Sequence, residues 1–174
     1  MGSVTDVAEW LGGELSPPSP LKPPHDLTLF SCGKAPLDDW LRQRALKAEG
    51  KTARTYVVCR ADSVVGYYVL VTGAAQRDNL PKKLGRNSPN QIPILVLARL
   101  AVDKRAARAG IGSGMLKDAF RRVVQVSSIV GVRAFLVHAK DDEAIAFYSQ
   151  YGFLEFPVGT QTLFLPIETI AAGL

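Results

Sequence analysis

The chain contains little cysteine, with only two among 174 residues. This excludes a disulfide-stapled scaffold, and the lack of a CxxC pair or a Cys/His cluster leaves no candidate metal site. The longest nearly apolar run, residues 64–75, is shorter than the ~20 residues that span a membrane. No basic segment precedes an apolar one at the N-terminus, so no signal peptide is expected. These absences predict a cytoplasmic protein that does not contact a membrane.

The composition is that of a globular protein, with 47% hydrophobic and 21% charged residues. Lysine and arginine number 21 against 16 aspartates and glutamates, for a net charge of +5. This excess allows nucleic acid, an anionic cofactor or an acidic protein as partner, although many proteins that bind none of these are equally basic.

The chain divides into a proline-rich N-terminal extension, residues 1–24, and a domain over residues 25–174. Proline lacks an amide hydrogen and fixes φ, so residues 16–24 cannot form a helix or a central strand. The apolar periodicity of the remainder predicts an α/β fold. We expect strands at 25–30, 55–60, 64–71, 92–102, 132–138, 153–156 and 162–165, helices at 36–50, 111–130 and 141–152, and a long polar loop at 77–91.

The strongest local signal is the sequence RAGIGSG at residues 108–114, between a buried strand and a helix. Glycines let the backbone approach a ligand closely, and amides at a helix N-terminus bind anions. The P-loop ending Gly-Lys-Ser/Thr is absent, and the glycine spacing does not fit the Rossmann fingerprint. Taken alone, the turn is as consistent with close packing as with an anion site.

Three segments together resemble the GNAT N-acetyltransferase superfamily. They are LARLAVD at 97–103, the glycine turn, and AIAFYSQYGF at 144–153. The resemblance implies one α/β (α+β) domain, with a mixed central β-sheet flanked by helices, that uses acetyl-CoA. The turn departs from the family pattern at Ala107, where GNAT proteins carry Arg or Gln.

The resemblance also implies a set of site residues. Tyr148 matches the family tyrosine that protonates the departing thiolate of coenzyme A, although a core aromatic is the alternative. His138 is either a base or a structural histidine, and Asp141 and Asp142 are better explained as helix caps than as a base. The residues expected to bind the cofactor, including a Val102 amide that would stabilise the oxyanion, are Leu100, Ala101, Val102, Arg105, Arg108, Ala109, Gly110, Ile111, Gly112, Ser113 and Gly114.

Segments outside the common core are similar to the TacT-type GNAT toxins of bacterial type II toxin–antitoxin modules. They include residues 25–33, 37–45 and 53–58, and the sequence VHA at 137–139. This similarity implies acetylation of the α-amino group of aminoacyl-tRNA, which blocks translation. It further implies a homodimer and a ribbon-helix-helix antitoxin, with operator DNA contacted only through the antitoxin.

An RNA substrate requires cations against its phosphates. Candidates, which are otherwise solvated surface charges, are Arg42, Arg44, Lys47, Lys82, Lys83, Arg86 and Arg99.

An α-amine, with a pKa of about 8, needs less help from a base than a lysine side chain, whose pKa is about 10.4. Two alternatives remain: a GNAT enzyme for a small amine or a protein N-terminus, and a non-catalytic domain that binds acyl-CoA or an antitoxin.

Overall fold

The computed structural model describes residues 14–174. The first thirteen residues of the predicted N-terminal extension lie outside the described residues. The described chain forms two compact units, one of residues 14–69 and 99–118 and the other of residues 70–98 and 119–174.

The first unit contains two short helices and the N-terminal strands. Its elements are β1 (Ser19–Pro20), α1 (Ala35–Gln43), α2 (Ala45–Ala48), β2 (Arg54–Arg60) and the first half of β3 (Ser63–Gln76). Tyr67 of β3 is fully buried, and its hydroxyl donates a 2.6 Å hydrogen bond to the carbonyl of Leu37 at the start of α1. The Tyr67 ring also packs edge-on against Phe30 and stacks with Trp40, which fixes α1 to this strand.

The second unit contains the C-terminal strands and helices. Two elements, β4 (Gln91–Val102) and α4 (Ile111–Ser127), contribute residues to both units. The others are α3 (Lys82–Gly85), β5 (Ala134–His138), α5 (Asp142–Ser149), β6 (Leu154–Glu155), β7 (Thr162–Pro166) and α6 (Ile167–Ala172).

The strands follow the order β1-β2-β3 in the first unit and β4-β5-β7-β6 in the second. Strands β4 and β5 are parallel, from Ile94 opposite Ala134 to Leu97 opposite Val137, whereas β7 runs antiparallel to both β5 and β6. The predicted mixed sheet is therefore confirmed.

The core of the second unit follows from the apolar composition of its strands. Ile94, Leu136 and Phe164, from three adjacent strands, pack with Leu80 and Leu84 from the segment that the sequence predicted as a loop. A second group joins Phe120 of α4 to Phe135 and Phe153, with ring centroids 6.0–6.2 Å apart. No helix within residues 14–174 has the length and apolar character needed to cross a bilayer.

Four sequence predictions about the elements were wrong. Residues 25–30 do not form a strand, because the carboxylate of Asp26 accepts hydrogen bonds from the amide and hydroxyl of Thr28 and folds the chain into a turn. The helix expected over 36–50 is interrupted at Arg44, whose φ is −121°. The loop at 77–91 includes a 3₁₀ turn and α3, and the long helix ends at Ser127 rather than at 130.

The proline-rich segment is extended, as predicted, and lies along β2. Ser19 and Pro20 pair with Val57 and Tyr56. The amide of Ser16 donates to the carbonyl of Cys59, and the amide of Cys59 donates to the Ser16 hydroxyl. Proline is tolerated at such an edge because the outer side of an edge strand needs no donor.

Candidate active site

The glycine turn lies between the end of β4 and the start of α4. A 3₁₀ turn over Lys104–Ala106 follows β4, and the exposed residues 107–110 then lead into the helix. Arg108 and Gly110 have left-handed φ values of 67° and 75°, which direct the chain sharply into α4. The amide of Gly114 bonds to the carbonyl of Gly110 at 3.0 Å and closes the first helical turn.

Asp103 anchors this turn from beneath. Its side chain is fully buried and accepts hydrogen bonds from the amides of Ser31 and Arg105, at 3.0 and 2.9 Å. The Arg105 guanidinium approaches the same carboxylate at 3.0–3.1 Å and also donates to the carbonyl of Leu29. A buried carboxylate is stable only when paired in this manner, so Asp103 fixes the loop at 29–31 and the approach to the turn together.

A close approach to Gly66 sets the position of the α4 N-terminus. A Cβ atom at Gly66 would lie 2.9 Å from Cγ2 of Ile111 and 3.2 Å from the Met115 thioether. Any side chain there would displace the first turn of the helix. Gly66 is therefore required by packing, although the sequence pattern alone marks it only as a strand residue.

The turn has the properties of an anion site. Amides that precede the first intrahelical hydrogen bond point out of the helix N-terminus, where the dipole favours negative charge. A Cβ atom at Gly110 or at Gly114 would meet nothing within 4 Å, so space is open beside these amides. A groove of about 180 Å³ adjoins them, lined by Leu15, Pro18, Met115 and others. The exposed amides of the turn therefore fit the diphosphate of a coenzyme.

Tyr148 lies on α5 in the second unit. Its ring is 7% exposed and packs edge-on against Phe147 and Phe153, at 5.1 and 5.5 Å between centroids. Its hydroxyl makes no hydrogen bond to another residue in the described part of the chain. Burial raises the pKa of Tyr148 to about 12, so the phenol keeps its proton throughout the neutral range.

Two polar residues that precede Tyr148 in the second unit are Asp141 and His138. The Asp141 carboxylate accepts from the amide of Ala144 at 2.8 Å and caps α5, so the capping prediction for Asp141 is confirmed. His138 ends β5 with an exposed ring whose Nδ1 lies 3.1 Å from the hydroxyl of Thr162. This ring lines a cavity rather than lying in the core.

A family model described as an acetyltransferase (GNAT) domain matches residues 51–155, which include the glycine turn and Tyr148. The chain belongs to the GNAT acetyltransferase family. The match confirms the resemblance on which the acetyltransferase prediction rests.

Proteins similar to this GNAT chain include some that are named as toxins. A tRNA-acetylating toxin of Mycobacterium tuberculosis (strain ATCC 25618 / H37Rv) is 41% identical over 158 residues, which are 90% of this chain and 95% of the relative. AtaT complexed with acetyl-methionyl-tRNAfMet has a TM-score of 0.84 at 28% identity, covering 91% of this chain and 98% of the other. AtaTR bound with AcCoA has a TM-score of 0.77 at 27% identity, covering 91% and 97%. These similarities confirm the predicted GNAT fold.

The residues predicted to bind the cofactor occupy different environments in this GNAT domain. Ala101 and Ile111 are buried, Leu100, Val102, Gly112 and Ser113 are half-buried, and Arg108, Ala109, Gly110 and Gly114 are exposed. The guanidinium of Arg105 contacts Asp103 and Leu29. Direct coenzyme contacts by these residues stay predictions.

The basic residues predicted to contact RNA fall into two sets. In the first unit, Arg42 donates to the carbonyl of Phe30 at 2.6 Å, and the Arg99 guanidinium lies over the Trp40 ring, 4.2 Å from its centroid. Arg44 and Lys47 are exposed on the same stretch of chain as α1 and α2. In the second unit, Lys82 and Lys83 lie on α3, and Arg86 follows it.

Sequence reasoning missed two of these features. The contact between Trp40 and Arg99 joins residues 59 positions apart in the chain, and no local pattern connects them. Asp103 was visible only as the last residue of a strand motif, and its burial depends on residues 29–31, which approach it in three dimensions.

Proposed function

We propose that this GNAT acetyltransferase transfers the acetyl group of acetyl-CoA to the α-amino group of aminoacyl-tRNA and thereby acts as a toxin that stops translation. One observation carries the proposal: the similarity to a tRNA-acetylating toxin extends over nearly the whole of both chains. The related AtaT complex with an acetylated aminoacyl-tRNA supports the same substrate.

Acetyl-CoA supplies an acetyl group activated as a thioester. The amides at the start of α4 would hold the diphosphate, for which the open space beside Gly110 leaves room at the backbone. Arg108, which is exposed in the same turn, would neutralise a phosphate in place of the basic side chain that is lacking at Ala107. The end of β4 would orient the thioester, and the Val102 amide would supply a hydrogen-bond donor to its carbonyl oxygen.

Tyr148 acts as the general acid. Its phenol is protonated at every physiological pH, as an ordinary tyrosine is, and burial raises its pKa further, to about 12. It donates this proton to the departing sulfur, and the resulting phenolate is neutralised by the proton that the substrate nitrogen loses on becoming an amide. The carboxylate of Asp141 is used as the cap of α5. An α-amine, partly unprotonated near neutral pH, suits this arrangement.

The remaining partners belong to the same proposal. The protein forms a homodimer, and a small ribbon-helix-helix antitoxin neutralises it and carries the complex to operator DNA. The cytoplasm, where charged tRNA is available, is its location. The domain spans residues 25–174, with residues 1–24 as an extension whose proline-rich part supports β2.

The decisive experiment presents purified protein with acetyl-CoA and a mixture of charged tRNAs. Mass spectrometry of the released aminoacyl groups should reveal N-acetyl amino acids on one or more tRNAs. A panel of polyamines, lysine peptides and peptides with free N-termini serves as the competing substrates. Faster acetylation of a panel amine would refute the tRNA assignment in favour of a small-amine or N-terminal acetyltransferase.

Expression in growing cells tests the biological part. The wild-type chain should stop growth, and either the Tyr148→Phe substitution or co-expression of the ribbon-helix-helix antitoxin should restore it. If the protein bound acyl-CoA but acetylated neither tRNA nor any amine, a non-catalytic role would replace the proposal.

A further inference from the structure

Two cavities in the second unit are lined neither by Tyr148 nor by the residues of the glycine turn. The outer groove has a volume of about 710 Å³ and is lined by Arg77, Lys82 and Arg86 together with Leu80, Pro81 and Phe156. The inner cavity, about 380 Å³, is lined by Ile94, Leu136 and Phe164 with His138 and Thr162. Leu80 and Phe156 line both, so the two cavities adjoin, and together they are called the channel. Both volumes are typical of ligand sites.

The outer groove is basic at its rim and apolar on its floor. Its lining includes three cationic side chains and one carboxylate, that of Asp78. Arg77 is held in position by a 3.2 Å hydrogen bond to the carbonyl of Ser88. Its Cγ lies so close to Gly85 that a Cβ atom there would be 2.8 Å away, so only glycine permits this placement. Lys82 and Arg86 are exposed and free to contact an anion.

The adjacent lysines of α3 differ in their surroundings. Lys82 lines the groove, whereas the charge of Lys83 acts on Glu168, whose pKa is lowered chiefly by its hydrogen bond from Arg133. Arg133 and Glu168 form an ion pair at 2.8 Å. Of the two lysines of α3, Lys82 is therefore the one that lines the groove.

The inner end of the channel suits a nucleoside. Phe156 is half-buried, and its ring packs edge-on against Phe164 with centroids 6.2 Å apart. Such a ring at a cavity wall can stack on a base. His138 and Thr162, 3.1 Å apart at Nδ1 and the hydroxyl oxygen, supply a donor and an acceptor at the same wall, as a ribose hydroxyl requires.

We infer that this channel receives the unpaired acceptor end of the tRNA, with phosphates on Arg77, Lys82 and Arg86 and the terminal nucleoside in the inner cavity against Phe156. The inference rests on the proposed function and names the surface that would recognise its RNA. A basic rim, an apolar floor and a polar inner wall match the phosphate, base and ribose of a single strand in that order.

The test combines direct binding with kinetics on the full-length chain. The variant Lys82→Gln/Arg86→Gln removes two groove cations, and Lys117→Gln/Arg121→Gln removes two exposed cations of α4 as the matched control. The groove variant should raise both the Kd for tRNA and the KM for charged tRNA about tenfold at physiological salt, with kcat and the Kd for acetyl-CoA unchanged. The salt dependence of its tRNA binding should weaken by about 1.4 in log–log slope, or about 0.7 per lost phosphate contact. The control should change each value less than twofold.

A second variant tests the nucleoside end. Phe156→Leu keeps an apolar contact with Phe164 but lacks the aromatic face, and should raise the KM for charged tRNA at least about fivefold. Groove variants that bind tRNA like the wild type would overturn the inference while tRNA acetylation itself stands. Weakened binding of tRNA by these variants, in a protein that acetylates no tRNA, would instead support the channel and refute the proposed function. If the groove variants lost antitoxin binding and kept tRNA binding, the channel would be a protein-docking surface and the inference would be wrong.

Discussion

Replacing Asp103 by asparagine, whose side chain has nearly the same size, should strongly destabilise the protein. The carboxylate is fully buried and accepts from two backbone amides and from the Arg105 guanidinium, all at 2.9–3.1 Å. Asparagine has one side-chain oxygen instead of two, so its NH₂ group would face a backbone amide that is also a donor. Breaking a buried pair by removing one charge costs about 3–5 kcal/mol.

This loss is a large fraction of the total stability of a typical domain, about 5–15 kcal/mol. For a chain of this size, each kcal/mol lowers Tm by about 2–4 °C, so Asp103→Asn should melt about 6–20 °C below the wild type. Urea unfolding followed by circular dichroism measures the same change as a lower midpoint. Acetyl-CoA should also bind more weakly at temperatures where the variant is folded, because Asp103 anchors the segment that leads into the turn.

Asp39→Asn is the matched control. Asp39 is 57% exposed and pairs with Arg42 at 3.7 Å, so its loss should cost less than about 1 kcal/mol. If Asp103→Asn and Asp39→Asn had the same midpoint, the buried carboxylate would not anchor the turn, and the account of the site's support would fail.

Three further predictions concern the chemistry and the packing of the site. Tyr148→Phe keeps the ring contacts with Phe147 and Phe153, and should lower kcat about 10²–10⁴-fold in the charged-tRNA assay with acetyl-CoA binding unchanged; full turnover would exclude Tyr148 as the acid. Because the pKa of Tyr148 is raised to about 12, kcat/KM should rise with pH up to the amine pKa of about 8 and stay level to pH ~9.5, and a decline before that would indicate a different acid. Gly66→Ala should lower the free energy of unfolding by about 1–3 kcal/mol and weaken acetyl-CoA binding by moving Ile111. Gly131→Ala is the control, because a Cβ atom there meets nothing within 4 Å. Equal melting temperatures of the two variants would refute the packing argument.

Most of the sheet was predictable because its strands carry their signal locally. Residues 134–138 include Phe135 and Val137, which favour strands, and are buried through position 137, so this short apolar run is typical of a buried strand. The glycine turn was predictable for the same reason, since a left-handed φ of 75° at Gly110 favours glycine at that position. The strand predicted at 25–30 was wrong because the Asp26 side chain competes with the backbone for the amide of Thr28. A pattern of alternating apolar residues carries no information about that competition.

The sequence by itself determined the family, the turn that leads into α4 and the identity of the candidate acid, because each depends on residues close together in the chain. Only the tertiary structure decided that Asp103 is buried beneath the turn, that Gly66 must lack a side chain, and that Lys82 lines a groove while Lys83 acts on Glu168. These features depend on contacts between segments distant in the chain. Burial and the proximity of charges arise only when such segments pack together, so no local pattern can encode them.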